Sequence, residues 1–307
     1  MNTQEVPILF VVFNRPAKTK LSFEAIRKAR PKRLFIAADG PRAAVPTDEE
    51  NCMKTREIVG QVDWDCRVQT LFRDQNSGGS GRGVSSAINW FFDQVEAGII
   101  LEDDCVPNLS FFSFCDSMLK RYQADQRVMH ISGSNFQFGR SVGDGSYYYS
   151  RVINVWGWAT WKRAWQHFDY EMKLFPKFHK YNTISHIYTA KGIQKEYIRT
   201  FQNAYDNTWK CWDRRWMLAV YANNGVSIVP NTNLVANIGY GEGASAEYYE
   251  DDISINMPTG ELKEVISPSY FIIDRDADEF YHQKVFTHPP LPKRIKRKLQ
   301  KIVEHGK

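Results

Sequence analysis

Short apolar runs alternate with segments of helical spacing through the first hundred residues of this 307-residue chain. The runs are rich in β-branched and aromatic residues, and polar or turn-forming residues follow them, as is typical of buried strands. Between the runs, apolar residues recur at the spacing of amphipathic helices. Strands that alternate with helices form a mostly parallel sheet covered on both faces. We therefore expect an α/β fold with a doubly wound, Rossmann-like sheet, with strands at residues 6–13, 33–38, 66–72 and 98–101.

Three acids, Glu102, Asp103 and Asp104, follow the last of these runs directly. Adjacent carboxylates at the end of a buried strand repel one another and are costly to desolvate. A hard divalent cation relieves that cost, because Mg²⁺ and Mn²⁺ bind carboxylate oxygens together with substrate phosphates. Open α/β sheets also bind ligands at the carboxyl ends of their strands. The acidic triplet therefore predicts a Mg²⁺ or Mn²⁺ site, although a solvated turn or a helix N-cap uses the same residue types.

Polar residues also follow the first two strands. Asn14 and Arg15 come after the first strand, and Asp39 comes after the second. Because these ends share one edge of a parallel sheet, the side chains can converge with the acidic triplet on one ligand. Carboxylates suit ribose hydroxyls or a base N–H, and arginine suits phosphate. Together with a cation, this combination predicts a site for a nucleoside diphosphate.

A glycine-rich segment at residues 76–83 precedes the third predicted helix. It lacks the Lys-Ser/Thr pair of a Walker A loop, and no strand comes directly before it as in the dinucleotide-binding fingerprint. Two roles stay open for it. One is a flexible connection, and the other is a loop that lays Arg82 on the nucleotide.

The second half of the chain is rich in aromatic residues and less regular in pattern. Trp156, Trp158 and Trp161 either pack in the core or, where exposed, stack on a sugar ring. The histidines do not cluster, and we expect them to be ordinary surface or core residues. In this half, the sequence pattern predicts helices at residues 109–122, 192–205 and 212–222, and it predicts a strand at residues 226–229.

Charge and cysteine content narrow the class of protein. The net charge of +5 comes from the segment after residue 292, which holds seven Lys or Arg residues against one Glu. The body of the chain therefore lacks the basic bias of a nucleic-acid-binding protein. Five cysteines without CxxC spacing indicate neither a disulfide framework nor a zinc site, and the N-terminal apolar stretch is too short for a membrane span. We expect a cytoplasmic protein.

Residues 286–307 form a separable tail. Leu291, Ile295, Leu299 and Ile302 recur at helical spacing, with basic residues between them. Such a basic amphipathic helix suits an anionic membrane surface, which would make the protein peripheral at the inner membrane. It equally suits packing on the body of the protein with the basic face in solvent.

With these residues in place, the chain resembles the GT-A-fold glycosyltransferases and is similar to the N-acetylglucosaminyltransferase I group. The resemblance runs from Pro7 to about Ser245, and its most specific landmark is the acidic triplet, which corresponds to the DxD-type motif of the family. Softer landmarks are Arg15, the Asp39-Gly40 turn, Pro107, Phe111, Phe112, Ile131-Ser132, Gly157-Trp158 and Trp212-Asp213.

The resemblance implies a metal-dependent transferase that moves a sugar from a UDP-sugar, such as UDP-GlcNAc, to a glycan or lipid-linked acceptor in bacterial surface polysaccharide synthesis. It implies a nucleotide-sugar-binding half at residues 1–107 and an acceptor and catalytic half of the same domain at residues 108–285. By position, it assigns Asp104 to the metal, Asp103 to the ribose, Glu102 to support of the sugar or nucleotide, Arg15 and Asp39 to the uridine, and Asp213 to the catalytic base.

The chain departs from the family pattern between two tryptophans. The family has two adjacent acids there, whereas this chain has one, Asp213, followed by two arginines. Asp213 either acts as the base, which gives inversion by direct displacement, or serves in an ion pair or a helix N-cap. Glu242, in a glycine-rich segment suited to closing over the donor, is the rival acid.

Two other functions stay open. A sugar nucleotidyltransferase would use a related fold, but that reaction favours a glycine-rich loop with a basic residue directly after the first strand, which residues 14–16 do not supply. A non-catalytic sugar-binding protein would bind carbohydrate without metal or UDP, and the intact acidic triplet argues against it.

Overall fold

The first half of the chain folds as alternating strands and helices. The computed structural model describes residues 5–240, 253–254 and 257–286. The four strands predicted in this half are all present, and the third helix begins at Ser80, inside the glycine-rich segment. The elements are β1 (Ile8–Val12), α1 (Pro16–Ala29), β2 (Arg33–Ala38), α2 (Asp48–Val59), β3 (Arg67–Phe72), α3 (Ser80–Phe92) and β4 (Ala97–Glu102).

The second half contains the three predicted helices and the predicted strand, as α4, α7, α8 and β9. The landmark Ile131-Ser132, which the family resemblance places on a strand, lies in β6, and further short strands had no signal in the sequence. The elements are β5 (Cys105–Pro107), α4 (Leu109–Arg121), β6 (Val128–Ser132), β7 (Tyr147–Ser150), β8 (Trp158–Trp161), α5 (Lys162–Trp165), α6 (Phe175–Lys180), a 3₁₀ helix (Thr183–His186), α7 (Lys191–Tyr205), α8 (Asp213–Ala222), β9 (Val226–Pro230), β10 (Val235–Asn237), α9 (Arg275–Tyr281) and a π-helical turn (His282–Phe286).

One eight-stranded sheet runs through both halves, in the order β3-β2-β1-β4-β8-β6-β9-β7. The first four strands in this order pair in parallel. β8 is antiparallel to both β4 and β6, β6 is parallel to β9, and β7 is antiparallel to β9. All strands except β7 and β8 therefore run in one direction, and the predicted mostly parallel sheet is confirmed.

Helices cover this sheet on both faces, which explains why its central strands are apolar throughout. Ile8 and Phe10 of β1 share a core cluster with residues of α1, α2 and α4, such as Phe111. Leu9, which lies between them, belongs to a second cluster with residues of α3, α7 and α8, such as Ile88. Because alternate residues of a strand point to opposite faces, the two clusters lie on opposite sides of the sheet, as predicted for a doubly wound fold.

The topology gathers polar residues at one edge of the sheet. β1 pairs in parallel with both β2 and β4, so the carboxyl ends of these three strands are adjacent. A separate antiparallel pair, β5 and β10, places Asn237 opposite Cys105. The end of β10 therefore lies beside the acidic triplet, although the two are far apart in sequence.

Two predicted features, Glu242 and the tail beyond residue 286, lie outside the described residues. Within the described part of the chain, no helix combines the length and the apolar character needed to cross a bilayer.

Candidate functional site

One arginine holds two of the three acids at the end of β4. Arg15 Nη2 lies 2.6 Å from Asp103 Oδ1, and Arg15 Nη1 lies 3.1 Å from Asp104 Oδ2. The Asp103 side chain is 3% exposed and the Asp104 side chain 14%. Arg15 comes from the turn between β1 and α1, and Ser22 Oγ of α1 donates to the Asp103 carbonyl at 2.9 Å. The structure thus brings Arg15 and the triplet together, and their functional roles stay predictions.

The triplet carries more negative charge than Arg15 neutralises. Burial, together with the Asp104 and Asp103 carboxylates, raises the pKa of Glu102 to about 8. Burial also raises the pKa of Asp103 to about 6, against the opposing effect of Arg15. Burial disfavours the charge on Arg15, but the three carboxylates outweigh that effect and raise the pKa of Arg15. An added cation would relieve the repulsion and lower the pKa of both acids.

The carboxylate oxygens at this edge of the sheet fit a divalent cation whose coordination shell is completed by oxygens of a bound ligand. Asp103 Oδ2 is buried and has no hydrogen-bond partner among the described residues. An unpaired buried polar atom is costly, and a cation would pair with it. In the described ranges, no three His, Cys, Asp or Glu side chains converge as a complete metal cage. Mg²⁺ commonly takes one or two carboxylates plus substrate phosphates, so two carboxylates with a bound diphosphate match its preference, and a metal at Asp104 stays a prediction.

The end of β10 closes one side of the triplet. The Ile238 N–H donates to the Asp104 carbonyl at 2.8 Å, and Asn237 Nδ2 lies 3.4 Å from Asp104 Oδ1. Gly239 packs against the carboxylate, because a Cβ at this position would lie 2.2 Å from Asp104 Oδ2. Any side chain at position 239 would therefore displace Asp104.

Asp39, at the end of β2, holds the glycine-rich segment. Its Oδ1 accepts from the Ser77 N–H at 3.1 Å and the Ser77 hydroxyl at 2.7 Å, and its Oδ2 accepts from Asn76 Nδ2 at 3.2 Å. Gly83 approaches so closely that a Cβ there would lie 3.0 Å from Asp39 Oδ2. Asp39 thus fastens the start of α3 to the end of β2. Its contact with a uridine stays a prediction.

A cleft of about 720 Å³ opens between the glycine-rich segment and the triplet. This volume lies within the range of small-molecule sites, roughly 300 to 1,000 Å³. The predicted site residues that line it are Arg15, Asp39, Glu102, Asp103 and Asp104.

Arg42 and Asp48 form a further charged pair in the cleft, at positions that no sequence motif indicates. Arg42 Nε lies 2.6 Å from Asp48 Oδ2, and Asn14 Nδ2 donates to Asp48 Oδ1 at 2.6 Å. The Arg42 contacts, assisted by Asn14, lower the pKa of Asp48 to about 2. Asp48 is the first residue of α2, where acids are common because they favour the helix dipole, so the sequence does not single it out as a site residue. The only signal for Arg42 was its place just after the Asp39-Gly40 turn, at the same edge of the sheet.

Arg82 lies outside the cleft. Its guanidinium carbon is 4.3 Å from the ring centroid of Tyr170, and its Nη2 is 3.3 Å from Glu171 Oε1. Ser80 and Gly83 line the cleft, but Arg82 does not. Because the helix begins at Ser80, residue 82 projects from a different side of the first turn than residue 83. A nucleotide contact by Arg82 stays a prediction, and it would require the Glu171 ion pair to break.

Asp213 opens α8 and, unlike the triplet, is not among the described residues that line the cleft. Its charge contributes to the repulsion that raises the pKa of Glu102, after burial and the other two acids. Its side chain is 27% exposed, and Arg214 Nε lies 3.6 Å from Asp213 Oδ2. Trp212, rather than Asp213, occupies the N-cap position of α8. The ion pair between Asp213 and Arg214 is thus present as a long contact, and it leaves the Asp213 carboxylate partly accessible to solvent.

Two of the three tryptophans of the aromatic element, Trp158 and Trp161, lie in the core, and Trp156 is half-buried against it. Trp158 is 0% exposed and Trp161 is 2% exposed. The Trp158 ring stacks on Trp212 and on His130, with centroids 5.4 Å and 5.0 Å away. Of the two open roles, core packing therefore holds for these tryptophans, and His130 is a core histidine.

Comparison with known proteins identifies no family for this chain. No protein-family model matches it, and no curated protein matches its sequence. Among solved structures, it is similar to 4-diphosphocytidyl-2C-methyl-D-erythritol synthase from Anaerococcus prevotii, with 6% identity and a TM-score of 0.32, over 51% of this chain and 71% of that one. The site itself must therefore carry the functional conclusion.

Proposed function

We propose that this protein is a metal-dependent glycosyltransferase that moves a sugar from a UDP-sugar to a glycan or lipid-linked acceptor. The observation that carries the proposal is the acidic triplet at the cleft, in which Arg15 forms ion pairs with two of the three acids and Asp103 Oδ2 is buried without a hydrogen-bond partner among the described residues. A structural ion pair needs neither the additional acids nor the cleft. A site for a cation and a diphosphate uses both.

Asp104 would hold Mg²⁺ or Mn²⁺, with Glu102 in support. The sequence resemblance assigns Asp103 to the ribose, but its buried oxygen Oδ2 has no hydrogen-bond partner among the described residues, so we propose that Asp103 joins Asp104 in holding the cation. When bound, the cation would neutralise the negative charge that develops on the leaving diphosphate. Arg15 contacts both aspartates and so keeps their oxygens at the strand end. Asp39, which fastens the glycine-rich segment, would bound the nucleotide end of the cleft.

Asp213 would act as the catalytic base. The acceptor hydroxyl oxygen forms a bond to the anomeric carbon while the bond from that carbon to the diphosphate oxygen breaks, and UDP leaves with the electron pair. The hydroxyl proton passes to the Asp213 carboxylate. Attack from the face opposite UDP inverts the configuration at a carbon with oxocarbenium character. Glu242, outside the described residues, is the alternative base.

The finer assignments follow from the sequence resemblance. The mostly parallel sheet, with the triplet at the end of a central strand, is compatible with a GT-A fold. UDP-GlcNAc is the first donor to test, because the resemblance is to the N-acetylglucosaminyltransferase I group. The basic tail would bring the enzyme to a lipid-linked acceptor, and deletion of residues 291–307 should then release it from anionic vesicles.

Ligand binding and donor hydrolysis test the proposal. UDP with Mn²⁺ should raise the melting temperature, since a ligand at a hundredfold excess over Kd stabilises a fold by about 2.7 kcal/mol. A panel of UDP-sugars should show Mn²⁺-dependent release of UDP. Asp104→Asn should abolish both effects. Asp65→Asn is the matched control, because Asp65 is 92% exposed and precedes β3 at the opposite edge of the sheet.

Three outcomes would overturn the proposal. The first is the absence of both a UDP–Mn²⁺ shift and UDP-sugar hydrolysis. The second is release of pyrophosphate from a nucleoside triphosphate and a sugar phosphate, which would assign a sugar nucleotidyltransferase. The third is carbohydrate binding that is indifferent to metal and UDP, which would assign a non-catalytic sugar-binding protein.

A further inference from the structure

Arg215, on α8, is a buried cation whose hydrogen-bond partners in the described part of the chain are all neutral oxygens. Its Nε donates to the Tyr170 carbonyl at 2.7 Å. Its Nη2 donates to the Ala204 carbonyl at 2.7 Å and to Asn207 Oδ1 at 2.8 Å, and its Nη1 donates to the Cys211 carbonyl. The residue is 2% exposed. One guanidinium thus fastens both ends of the connection between α7 and α8.

That connection, residues 206–212, leads directly into Asp213 and also touches the wall of the cleft. The Gly81 N–H donates to the Lys210 carbonyl at 2.9 Å. A Cβ on Gly81 would lie 2.7 Å from the same carbonyl oxygen, so the two backbones are in direct contact. Ser80, which precedes Gly81, lines the cleft. The connection is therefore held between the cleft wall on one side and Arg215 on the other.

The Tyr170 ring adds a second link between α3 and α8. The guanidinium carbons of Arg82 and Arg215 each lie 4.3 Å from its centroid. Arg82 belongs to α3 and Arg215 to α8, so cation–π contacts with one ring join the two helices.

We propose that Arg215 is a positioning residue that holds the connection 206–212, and with it Asp213 at the start of α8, in the position from which Asp213 takes the proton of the acceptor hydroxyl. This inference rests on the proposed function, in which Asp213 is the base. Arg215 acts through backbone carbonyls and needs the planar fork of its side chain, which donates in several fixed directions at once. Lysine keeps the charge but cannot reproduce that fork.

Steady-state kinetics of sugar transfer, with UDP-sugar and Mn²⁺, test the inference. Arg215→Lys and Arg215→Met should both lower kcat about 10- to 100-fold, since a misplacement of about 1 Å costs that much in an oriented reaction. The KM for the donor and the UDP–Mn²⁺ thermal shift should stay close to the wild-type values, because the triplet is untouched. Arg121→Lys, an exposed arginine at the end of α4, is the matched control and should retain full activity.

A milder variant covers the case in which Arg215 variants fail to fold. Asn207 is exposed and has a φ of 57°, which glycine adopts freely. Asn207→Gly removes one acceptor of Arg215 and keeps the backbone, so it should lower kcat roughly fivefold, the equivalent of one hydrogen bond. A wild-type kcat in Arg215→Lys, or in Asn207→Gly when the Arg215 variants do not fold, would overturn the inference.

Hydrogen exchange separates this inference from the proposed function. Amides of residues 207–212 should exchange faster in Arg215→Lys than in the wild type, whether or not a sugar is transferred. If the wild type neither binds UDP nor hydrolyses any UDP-sugar, the proposed function fails, and exchange still reports whether Arg215 holds the connection. If the wild type is active and Arg215→Lys matches it in both kcat and exchange, only the inference fails.

Discussion

Arg15 Nη2 lies 2.6 Å from Asp103 Oδ1, and this contact joins the turn after β1 to the end of β4. Asp103 is buried, and two more acids flank it in sequence. Arg15 is therefore the counter-charge that allows a buried strand to end in three carboxyl groups. Loss of one partner of a buried ion pair typically costs about 3–5 kcal/mol, because the other charge is left uncompensated.

Arg15→Met should accordingly lower the free energy of unfolding by about 3–5 kcal/mol in metal-free buffer at pH 8. Mn²⁺ should restore part of that loss, since a cation can replace the missing positive charge. Urea unfolding with and without Mn²⁺ measures both effects. Arg27→Met is the control, because Arg27 pairs with Asp63 on the exposed surface and its loss should matter little. A stable Arg15→Met variant that is indifferent to Mn²⁺ would contradict this account.

Gly239→Ala should weaken metal and nucleotide binding without unfolding the protein. The new Cβ would fall 2.2 Å from Asp104 Oδ2, so the carboxylate must move. Displacement of groups around a metal site commonly costs about 10- to 100-fold in affinity, and calorimetric titration of Mn²⁺ in the presence of UDP should detect a loss of that size. Gly192→Ala is the matched control, because no atom lies within 4 Å of the position of its Cβ. Equal affinities in the two variants would show that Asp104 is not required.

The sequence alone was sufficient to predict this edge of the sheet, because each strand there is a continuous apolar run that stops at a polar residue. Once the strands were assumed to be parallel, it followed that Arg15, Asp39 and the triplet lie at the same edge of the sheet. The contact between Asn237 and Asp104 could not, since it depends on the pairing of β5 with β10. No local pattern encodes a pairing between segments more than a hundred residues apart.

Residues on helix starts were harder to place. A contact of Arg82 with the nucleotide was one of two roles left open for the glycine-rich segment, and in the structure α3 begins at Ser80 and Arg82 lies against Tyr170. Arg215 stood out in the sequence only as one of the two arginines after Asp213, whereas in the structure it donates to the carbonyls of Tyr170, Ala204 and Cys211, which no sequence pattern places beside it. Arg42 was not predicted either, because a single arginine in a turn belongs to no periodic pattern.

Asp39→Asn should weaken nucleotide binding more than metal binding. The new amide nitrogen cannot accept from Ser77 or Asn76, so the glycine-rich segment loses charge-assisted hydrogen bonds. Loss of one such bond, about 1.5 kcal/mol, corresponds to a roughly tenfold weaker UDP affinity. Ser77→Ala, which removes only one hydroxyl donor, should have a smaller effect in the same titration. Unchanged UDP affinity in Asp39→Asn would show that this segment does not bound the nucleotide.

His130 should make the fold sensitive to acid. Its ring is 0% exposed, and Trp216 Nε1 donates to its Nδ1 at 3.2 Å, while its Nε2 lies 2.9 Å from the Asn154 carbonyl. Because an indole N–H only donates, Nδ1 must accept, and the neutral ring with its proton on Nε2 satisfies both contacts. Burial lowers the pKa of His130 to about 4, which the hydrogen bond to Asn154 only partly opposes.

The sign of the pH effect follows from that depressed pKa. An unfolded histidine binds a proton near pH 6.5, so the folded state loses stability as the pH falls from there toward 4, by about 2 kcal/mol at pH 5. Asp278 acts in the opposite direction, since burial raises its pKa to about 6, and the comparison must therefore be with a variant. His130→Gln should show a shallower fall in urea midpoint between pH 7.5 and pH 5 than the wild type. His167→Gln, at an exposed position, should retain the wild-type slope, and an unchanged slope in His130→Gln would place the acid sensitivity elsewhere.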